Sequence, residues 1–468
     1  MRYISTRGGA PPVFFLDAVL AGLAPDGGLY VPESWPVLDA GCVREAGVRD
    51  YASVTSAVLG AFAGGDLAPS VRHEITRRAY GAGAAFDTSA ITPLHQLGAN
   101  HWLLDLARGP SLAFKDIAMQ LIAPLYDYAL AQRDQRLTVV CATSGDTGGA
   151  AVEALKKSDR ADLFVLLPKG RVSDVQRRFM TASGGANVHA IEIDGDFDAC
   201  QAIVKAMFAD ADFAARASLS GVNSINWARI VAQSVYFVRT ASALSAPGLV
   251  DFVVPSGNMG DAFAGYVAKK LGAPIGRIGL ATNSNNILAR AIQTGRYERA
   301  AASAATLSPA MDIQVASNFE RLLYDATGDA EAVARAYRGL AQSGGFDVPP
   351  AALEAMRQTF SGVAADDAMT LREMAKTHKQ DGLLICPHTA VGFAAFGDDP
   401  KWLDRPTVFL ATAHPAKFPD TVEQAAGARP PLPAKCADLY QRPEKFDPLP
   451  ADAEAVKRYV RERSRAWS

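Results

Sequence analysis

Cysteine is scarce in this chain. Five residues, Cys42, Cys141, Cys200, Cys386 and Cys436, are spread over 468 positions. Their number is odd and no C-x-x-C pair occurs, which argues against a disulfide framework or a zinc cluster and points to a reducing, cytoplasmic setting. An excess of one charge sign is missing as well. The formal net charge is −2, so the bulk attraction expected of a nucleic-acid binder is absent. No uninterrupted apolar run approaches the ~20 residues of a membrane span. There is no GxGxxG and no GxxxxGK[ST], so the standard dinucleotide fingerprint and the P-loop are excluded. There is no GxSxG elbow, no HExxH and no Cys/His cluster, so no metal is expected.

What is present is a chain that can bury a large core. Hydrophobic residues make up 49%, and the length suits two or three domains. Arg2 and Arg7 precede an apolar stretch, Val13 to Ala24, that imitates a secretory signal. Asp17 interrupts it, and Phe14, Phe15, Ala18, Val19, Gly22 and Leu23 share one side of a helix. A folded amphipathic helix is therefore expected. Further along, short apolar strands run into Gly-rich or polar turns and then helices. Leu137–Ala142, Asp162–Leu167, Val188–Ile193, Val250–Val254, Ile278–Thr282, Leu383–Cys386 and Thr407–Ala411 read as such strands. Ser173 and Gln176 have capping-box spacing at one helix start, and Phe197–Phe213 reads as a single helix. The pattern predicts an α/β protein with two lobes of open parallel sheet, covered on both faces. Residues 1–94 form a separate N-terminal domain, 95–245 and 246–427 the lobes, and 428–468 a Pro-rich tail that ends in the helix Ala451–Arg463.

Ligands of open α/β sheets bind beyond the carboxyl ends of the strands, where these turns lie. Pro255-Ser-Gly-Asn-Met-Gly260 opens a helix, and Gly257 and Gly260 let backbone N–H groups approach a phosphate. A plain strand-to-helix turn explains the same residues. Thr143-Ser-Gly-Asp-Thr-Gly-Gly149 offers Ser144, Thr147 and backbone donors to a carboxylate or phosphate; helix capping is the alternative. Arg108-Gly-Pro-Ser-Leu-Ala-Phe-Lys115-Asp116 sets Lys115 between Phe114 and Ile117. Desolvation there would favour the neutral, nucleophilic amine, whereas a surface lysine paired with Asp116 is the plainer reading. His388 and His414 stand at strand ends. Asn226-Trp-Ala-Arg229 reads as a helix start with a nearby cation.

Taken together, these segments resemble the threonine synthase family. Met1-Arg-Tyr-Ile-Ser-Thr-Arg7 and Gly22-Leu-Ala-Pro-Asp-Gly-Gly-Leu-Tyr30 are similar to its N-terminal domain. Gly109-Pro-Ser-Leu-Ala-Phe-Lys115-Asp116 is similar to its lysine motif. Thr143-Ser-Gly-Asp-Thr-Gly148, Ser256-Gly-Asn-Met-Gly-Asp261, Pro387-His-Thr-Ala-Val-Gly392 and Ala411-Thr-Ala-His-Pro-Ala-Lys-Phe418 follow in the family's order. The resemblance implies the fold type II architecture of pyridoxal-phosphate enzymes, pyridoxal 5′-phosphate as cofactor, and Lys115 as the residue that holds its aldehyde covalently. It implies that Gly257, Asn258, Met259, Gly260 and Asp261 form or support the phosphate loop. Thr412 would face the pyridine nitrogen, Ser111, Ser144 and Thr147 the substrate side, and Asn226 and Arg229 the substrate phosphate. Asp146 stands where many relatives in the wider fold group have Asn, so the group facing the cofactor's 3′-oxygen stays open.

The implied reaction turns O-phospho-L-homoserine and water into L-threonine and phosphate, in a monomer or homodimer, without nucleic-acid or membrane partners. Three other readings stand beside it: a serine or threonine dehydratase, a phospho-lyase that makes a keto acid, and a non-catalytic phosphate-ligand binder.

Overall fold

In the computed structural model, which describes residues 1–245 and 248–467, two parallel sheets dominate. The first has five strands in the order Asp447–Pro450, Val188–Asp194, Ala161–Pro168, Leu137–Ala142, Leu219–Ser220, all parallel. The second has six, in the order Phe360–Ala364, Ile275–Thr282, Val250–Pro255, Thr407–Ala411, His101–Asp105, Leu94–Gln96, with only the last pair antiparallel. The central strands read as unbroken apolar runs because helices cover both faces. Every residue of Ala161–Pro168 is buried.

Sequence expectation and structure differ at several places. The strand Leu94–Gln96 straddles the expected division at residue 95, and His101–Asp105, expected in the first lobe, pairs with Thr407–Ala411 in the sheet of the second. The division between 245 and 246 abuts residues 246–247, which lie outside the described residues. The C-terminal tail wraps the surface but also contributes the edge strand Asp447–Pro450 to the first sheet. Leu383–Cys386 is not a strand. Its apolar residues pack in the cluster around Phe396 and Trp402, and they lead straight into the helix Pro387–Phe396. The expected single helix Phe197–Phe213 breaks at Asp210, whose carboxylate accepts from the Phe213 N–H and caps a second helix. The apolar stretch near the N-terminus forms a two-residue strand and then a helix, Phe15–Ala21. Phe15, Leu16, Ala18 and Val19 are buried, whereas Phe14 points outward at 55% exposure.

The N-terminal region docks on the sheets through buried polar contacts. Arg2–Ser5 pairs with Val13–Phe14 and Tyr30–Pro32. The Tyr3 hydroxyl donates to the Phe62 carbonyl (2.9 Å) and accepts from the Trp227 indole (3.2 Å). Arg7 reaches Glu320 through Nε and Nη2, both at 2.9 Å. Arg321, fully buried, donates to the carbonyls of Tyr30 (3.0 Å) and Ile225 (2.6 Å), and Nη1 donates to the Asn318 amide oxygen (2.5 Å). Asn318 in turn donates from its backbone and side chain to the Asn258 carbonyl, at 3.1 and 3.2 Å. One guanidinium thus ties the N-terminal region to the 222–226 segment and to the turn after Val250–Pro255.

Arg321→Met removes donors from buried carbonyls and should lower unfolding free energy by about 3 kcal/mol. Urea denaturation followed by circular dichroism measures it; a loss below about 1 kcal/mol would show that the junction tolerates its absence.

Candidate active site

The carboxyl ends of the two sheets face a cleft of about 1070 Å³. Lys115 stands at its floor, as the first residue of the helix Lys115–Gln132. The loop before it is fixed from within and from outside. Asp116 accepts from the Ser111 hydroxyl (2.7 Å), the Ser111 N–H (2.9 Å) and the Ala113 N–H (3.4 Å). A Cβ at Gly109 would lie 2.3 Å from the Asp116 Cβ, so that close approach requires glycine. Across the lobes, the Phe114 N–H donates to the Thr412 carbonyl (2.8 Å) and the His414 N–H to the Leu112 carbonyl (3.0 Å). The Gly-Pro loop and the Thr-Ala-His-Pro-Ala-Lys-Phe stretch are therefore laced together.

The electrostatics follow from burial. The Lys115 side chain is 13% exposed. Desolvation pushes its pKa down to about 8; Arg229 and Lys417 push the same way, against the attraction of Asp146. At neutral pH an appreciable fraction of the amine is then uncharged. Asp146 Oδ2 lies 3.9 Å from Lys115 Nζ, while Oδ1 is 2.7 Å from Lys417 Nζ and accepts from the Gln176 amide at 2.9 Å. Burial alone would raise the Asp146 pKa, but Lys417 and Lys115 hold it well below the usual carboxylate range. Burial pushes Asp116 up to about 6.

The turn after Val250–Pro255 is tight. Met259 adopts φ +60°, left-handed for a side chain that rarely accepts it, and the helix Gly260–Lys270 starts directly behind. A Cβ at Gly257 would come within 3.0 Å of the Ala310 carbonyl oxygen and of Ile313 Cγ1, so the loop over this turn sits on bare backbone. Asp261 accepts from the Tyr236 hydroxyl, its Oδ2 has no partner, and burial pushes its pKa up to about 7. Arg229 is 3% exposed; Nη1 donates to the Val222 carbonyl (3.2 Å), Nε has no partner, and burial lowers its pKa to about 10.

Of the residues singled out in the sequence, Lys115, Ser144, Thr147, Arg229, Thr412 and the run Gly257 to Asp261 all line this cleft. Ser111 and Asn226 do not, which corrects their assignment to the substrate. The Ser111 hydroxyl is taken by Asp116 behind the lysine loop. Asn226, fully buried, caps the helix Trp227–Leu244 by accepting from the Ala228 N–H, and donates to the Val19 carbonyl and the Tyr126 hydroxyl. His414 caps a short turn through Nδ1 and the Ala416 N–H, outside the cleft. His388 lines the wall; its Nε2 accepts from the Ala310 N–H, and burial lowers its pKa to about 4. Sequence reasoning gave Lys417 no role. The signal was there: Ala416-Lys-Phe418 flanks a lysine with apolar residues, as Phe114 and Ile117 flank Lys115. Pro309 to Gln314 and Arg299 to Ser303 also line the cleft, and nothing in their composition marked them.

Comparison with known proteins adds an independent line. Three family models match: Threonine synthase N terminus over residues 2–80, Pyridoxal-phosphate dependent enzyme over 87–359, and Threonine synthase, C-terminal, over 389–460. The threonine synthase of Pseudomonas aeruginosa is 44% identical over 98% of both chains. The chain belongs to the threonine synthase family. A pyridoxal-phosphate-bound threonine synthase from Brucella melitensis superposes with a TM-score of 0.95 at 50% identity, covering 100% of both chains. The yeast threonine synthase structure gives 0.92 at 34% identity, covering 99% of this chain and 98% of that one.

The family cofactor is pyridoxal phosphate, and the residues present fit it. A buried amine with a lowered pKa suits an aldehyde. A turn of exposed backbone opening an eleven-residue helix suits a phosphate, as does a neighbouring carboxyl that sheds its charge readily. No hydrogen bond occupies the Thr412 hydroxyl among the described contacts, so a ring nitrogen can meet it.

Asn226→Ala should lower stability by about 1–3 kcal/mol through loss of the cap and its buried partners, with KM changed less than about threefold. Arg229→Ala should instead raise KM at least about tenfold, because a lost anion contact is worth over ~1.4 kcal/mol. Thermal melts and steady-state kinetics on both variants separate the two roles; the opposite pattern would restore Asn226 to the substrate.

Proposed function

We propose that this chain converts O-phospho-L-homoserine and water to L-threonine and inorganic phosphate. The observation that carries the reading is Lys115: a buried amine whose pKa is lowered to about 8, so that roughly a tenth of it is neutral at pH 7, on the floor of a cleft flanked by two turns suited to anions. When bound, pyridoxal phosphate supplies the conjugated electron sink that lets bonds near the amino-acid α-carbon break. The chain supplies everything else. Lys115 would hold the cofactor covalently, and its Nζ, when free, would take and return protons at the substrate carbons. Residues Gly257 to Gly260 would hold the cofactor phosphate on backbone N–H groups at the start of a helix, with Asp261 supporting them. Thr412 would offer a neutral hydroxyl to the pyridine nitrogen, which would not oblige that nitrogen to stay protonated.

Ser144 and Thr147, in the turn braced by Thr143, receive the substrate carboxylate. The Thr143 hydroxyl accepts from the Gly145 and Gly148 N–H groups, both at 2.9 Å, and so sets that turn's shape. Arg229, with an unpartnered Nε at the cleft wall, receives the substrate phosphate. The Pro309–Gln314 segment covers the phosphate turn and excludes water from one side. A cytoplasmic location accords with five free cysteines. A monomer or a homodimer is the expected assembly, and no helix among the described residues is long and apolar enough to cross a membrane.

Purified protein loaded with cofactor and given phosphohomoserine should release phosphate and L-threonine in equal amounts. A keto acid and ammonia in place of threonine would point to a phospho-lyase and overturn the reading. Lys115→Ala should cut turnover at least ~10³-fold with an unchanged circular dichroism spectrum.

A further inference from the structure

Two buried lysines share one buried carboxylate, and they share it unequally. Lys417 is fully buried. Its Nζ lies 2.7 Å from Asp146 Oδ1, donates to the Ser111 carbonyl at 2.8 Å, and lies 5.5 Å from the centre of the Phe179 ring. Gln176 donates to the same Oδ1 at 2.9 Å. Lys115 faces the other oxygen at 3.9 Å, beyond hydrogen-bond range. The lysine loop, the start of the helix Asp146–Leu155, the helix Asp174–Thr181 and the Pro415–Lys417 turn therefore meet at one carboxylate.

We propose that Lys417 is a positioning residue for Lys115: by holding the charge of Asp146 to its own ammonium, it denies Lys115 a dedicated counter-ion and enlarges the neutral, nucleophilic fraction of the Lys115 amine. The charged and titratable groups facing Lys115 are Asp146, which favours its proton, Arg229 and Lys417, which oppose it, and the Cys141 thiol. His388 faces Asp146 and Lys115 across the cleft, and burial keeps it neutral. With Lys417 uncharged, Asp146 would be left to Lys115 alone, and one repelling ammonium would vanish. Both changes favour the Lys115 proton, so the sign is fixed: the amine would hold its proton to higher pH. The inference rests on Lys115 being the cofactor-bearing amine for its consequence in the reaction, but the charge effect belongs to the polypeptide itself.

The test reads the amine directly. The full-length chain, freed of cofactor and checked by circular dichroism, is labelled with trace acetic anhydride across pH 6 to 10. Acetylation at Lys115 is quantified by peptide mass spectrometry; each event forms one amide and releases one acetate. The wild type should label with a midpoint near about 8. Lys417→Gln, which keeps a donor for the Ser111 carbonyl without the charge, should raise that midpoint by about one unit or more, a tenfold loss of neutral amine on the acid side. Lys417→Met should do the same if the polar variant perturbs packing. Lys417→Arg, which keeps the charge, should stay near wild type. An unchanged or lowered midpoint in a folded neutral variant overturns the proposal, and so does an Arg variant that shifts as far as Gln. Borohydride fixation of the holoenzyme, followed by mapping of the pyridoxyl peptide, reads separately whether Lys115 carries the cofactor. Failure of that reading is thereby distinguishable from failure of this one.

Discussion

A single carboxylate, that of Asp146, sets both the shape and the charge of this cleft. It is contacted from the lysine loop, from Gln176 on a neighbouring helix and from Lys417 beyond the last central strand. Lys115 and Gln176 lie about thirty residues to either side of Asp146 and Lys417 lies far beyond them in sequence, and only the folded chain brings them to one point. An ion pair this deeply buried is weak evidence of net stability, because desolvating both partners offsets most of their attraction. Removing one partner is another matter, since it strands a charge at a cost of about 3–5 kcal/mol. The arrangement is therefore better understood as a device for geometry and protonation than as a source of stability.

The turn before the helix Gly260–Lys270 depends in the same way on distant residues. Met259 holds a left-handed conformation that a non-glycine residue enters at a cost of about 1–2 kcal/mol. Such strain persists only where neighbours over-determine it. Here Asn318 grips the Asn258 carbonyl from two donors, and Arg321 grips Asn318. Arg321 is itself anchored on the Tyr30 carbonyl of the N-terminal region. The first thirty residues thus reach the turn Gly257 to Gly260 through two side chains, which gives the N-terminal region a physical role in shaping the cleft.

Sequence reasoning recovered what local pattern encodes. Strands such as Leu137–Ala142 and Thr407–Ala411 are legible because a doubly covered parallel strand must be apolar at every position. Lys115 is legible because a lysine between apolar neighbours is unusual, and the ordered motifs around it carry the family. Leu383–Cys386 misled because periodicity cannot tell a buried strand from a buried connector when no sheet edge is free to receive it. Ser111 and Asn226 misled for a related reason. A polar residue in a functional motif can serve the motif's own backbone, as a clamp on Asp116 or as a helix cap, without touching the ligand. The Asp146–Lys417 pair and the links from Arg321 to Tyr30 and from Asn318 to Asn258 were illegible because they are long-range and join partners that no short window contains.

The balance of charge in the cleft explains how a chain with net charge −2 can serve ligands rich in negative charge. Lys417 and Arg229, together with Lys115 in the share that holds its proton, are buried against one fully ionised carboxylate, since burial has moved Asp261 to the edge of neutrality. The local excess is positive and poorly hydrated, and it is offset only when anions enter. Each phosphate or carboxylate that binds relieves repulsion among cations already in place, so the attraction is strong at short range. The rest of the surface adds nothing to it, because the Debye length of about 8 Å at physiological salt screens the exposed charges from one another. Selectivity for a doubly anionic amino acid then needs no basic protein, only a dry pocket in which the cations outnumber their partners.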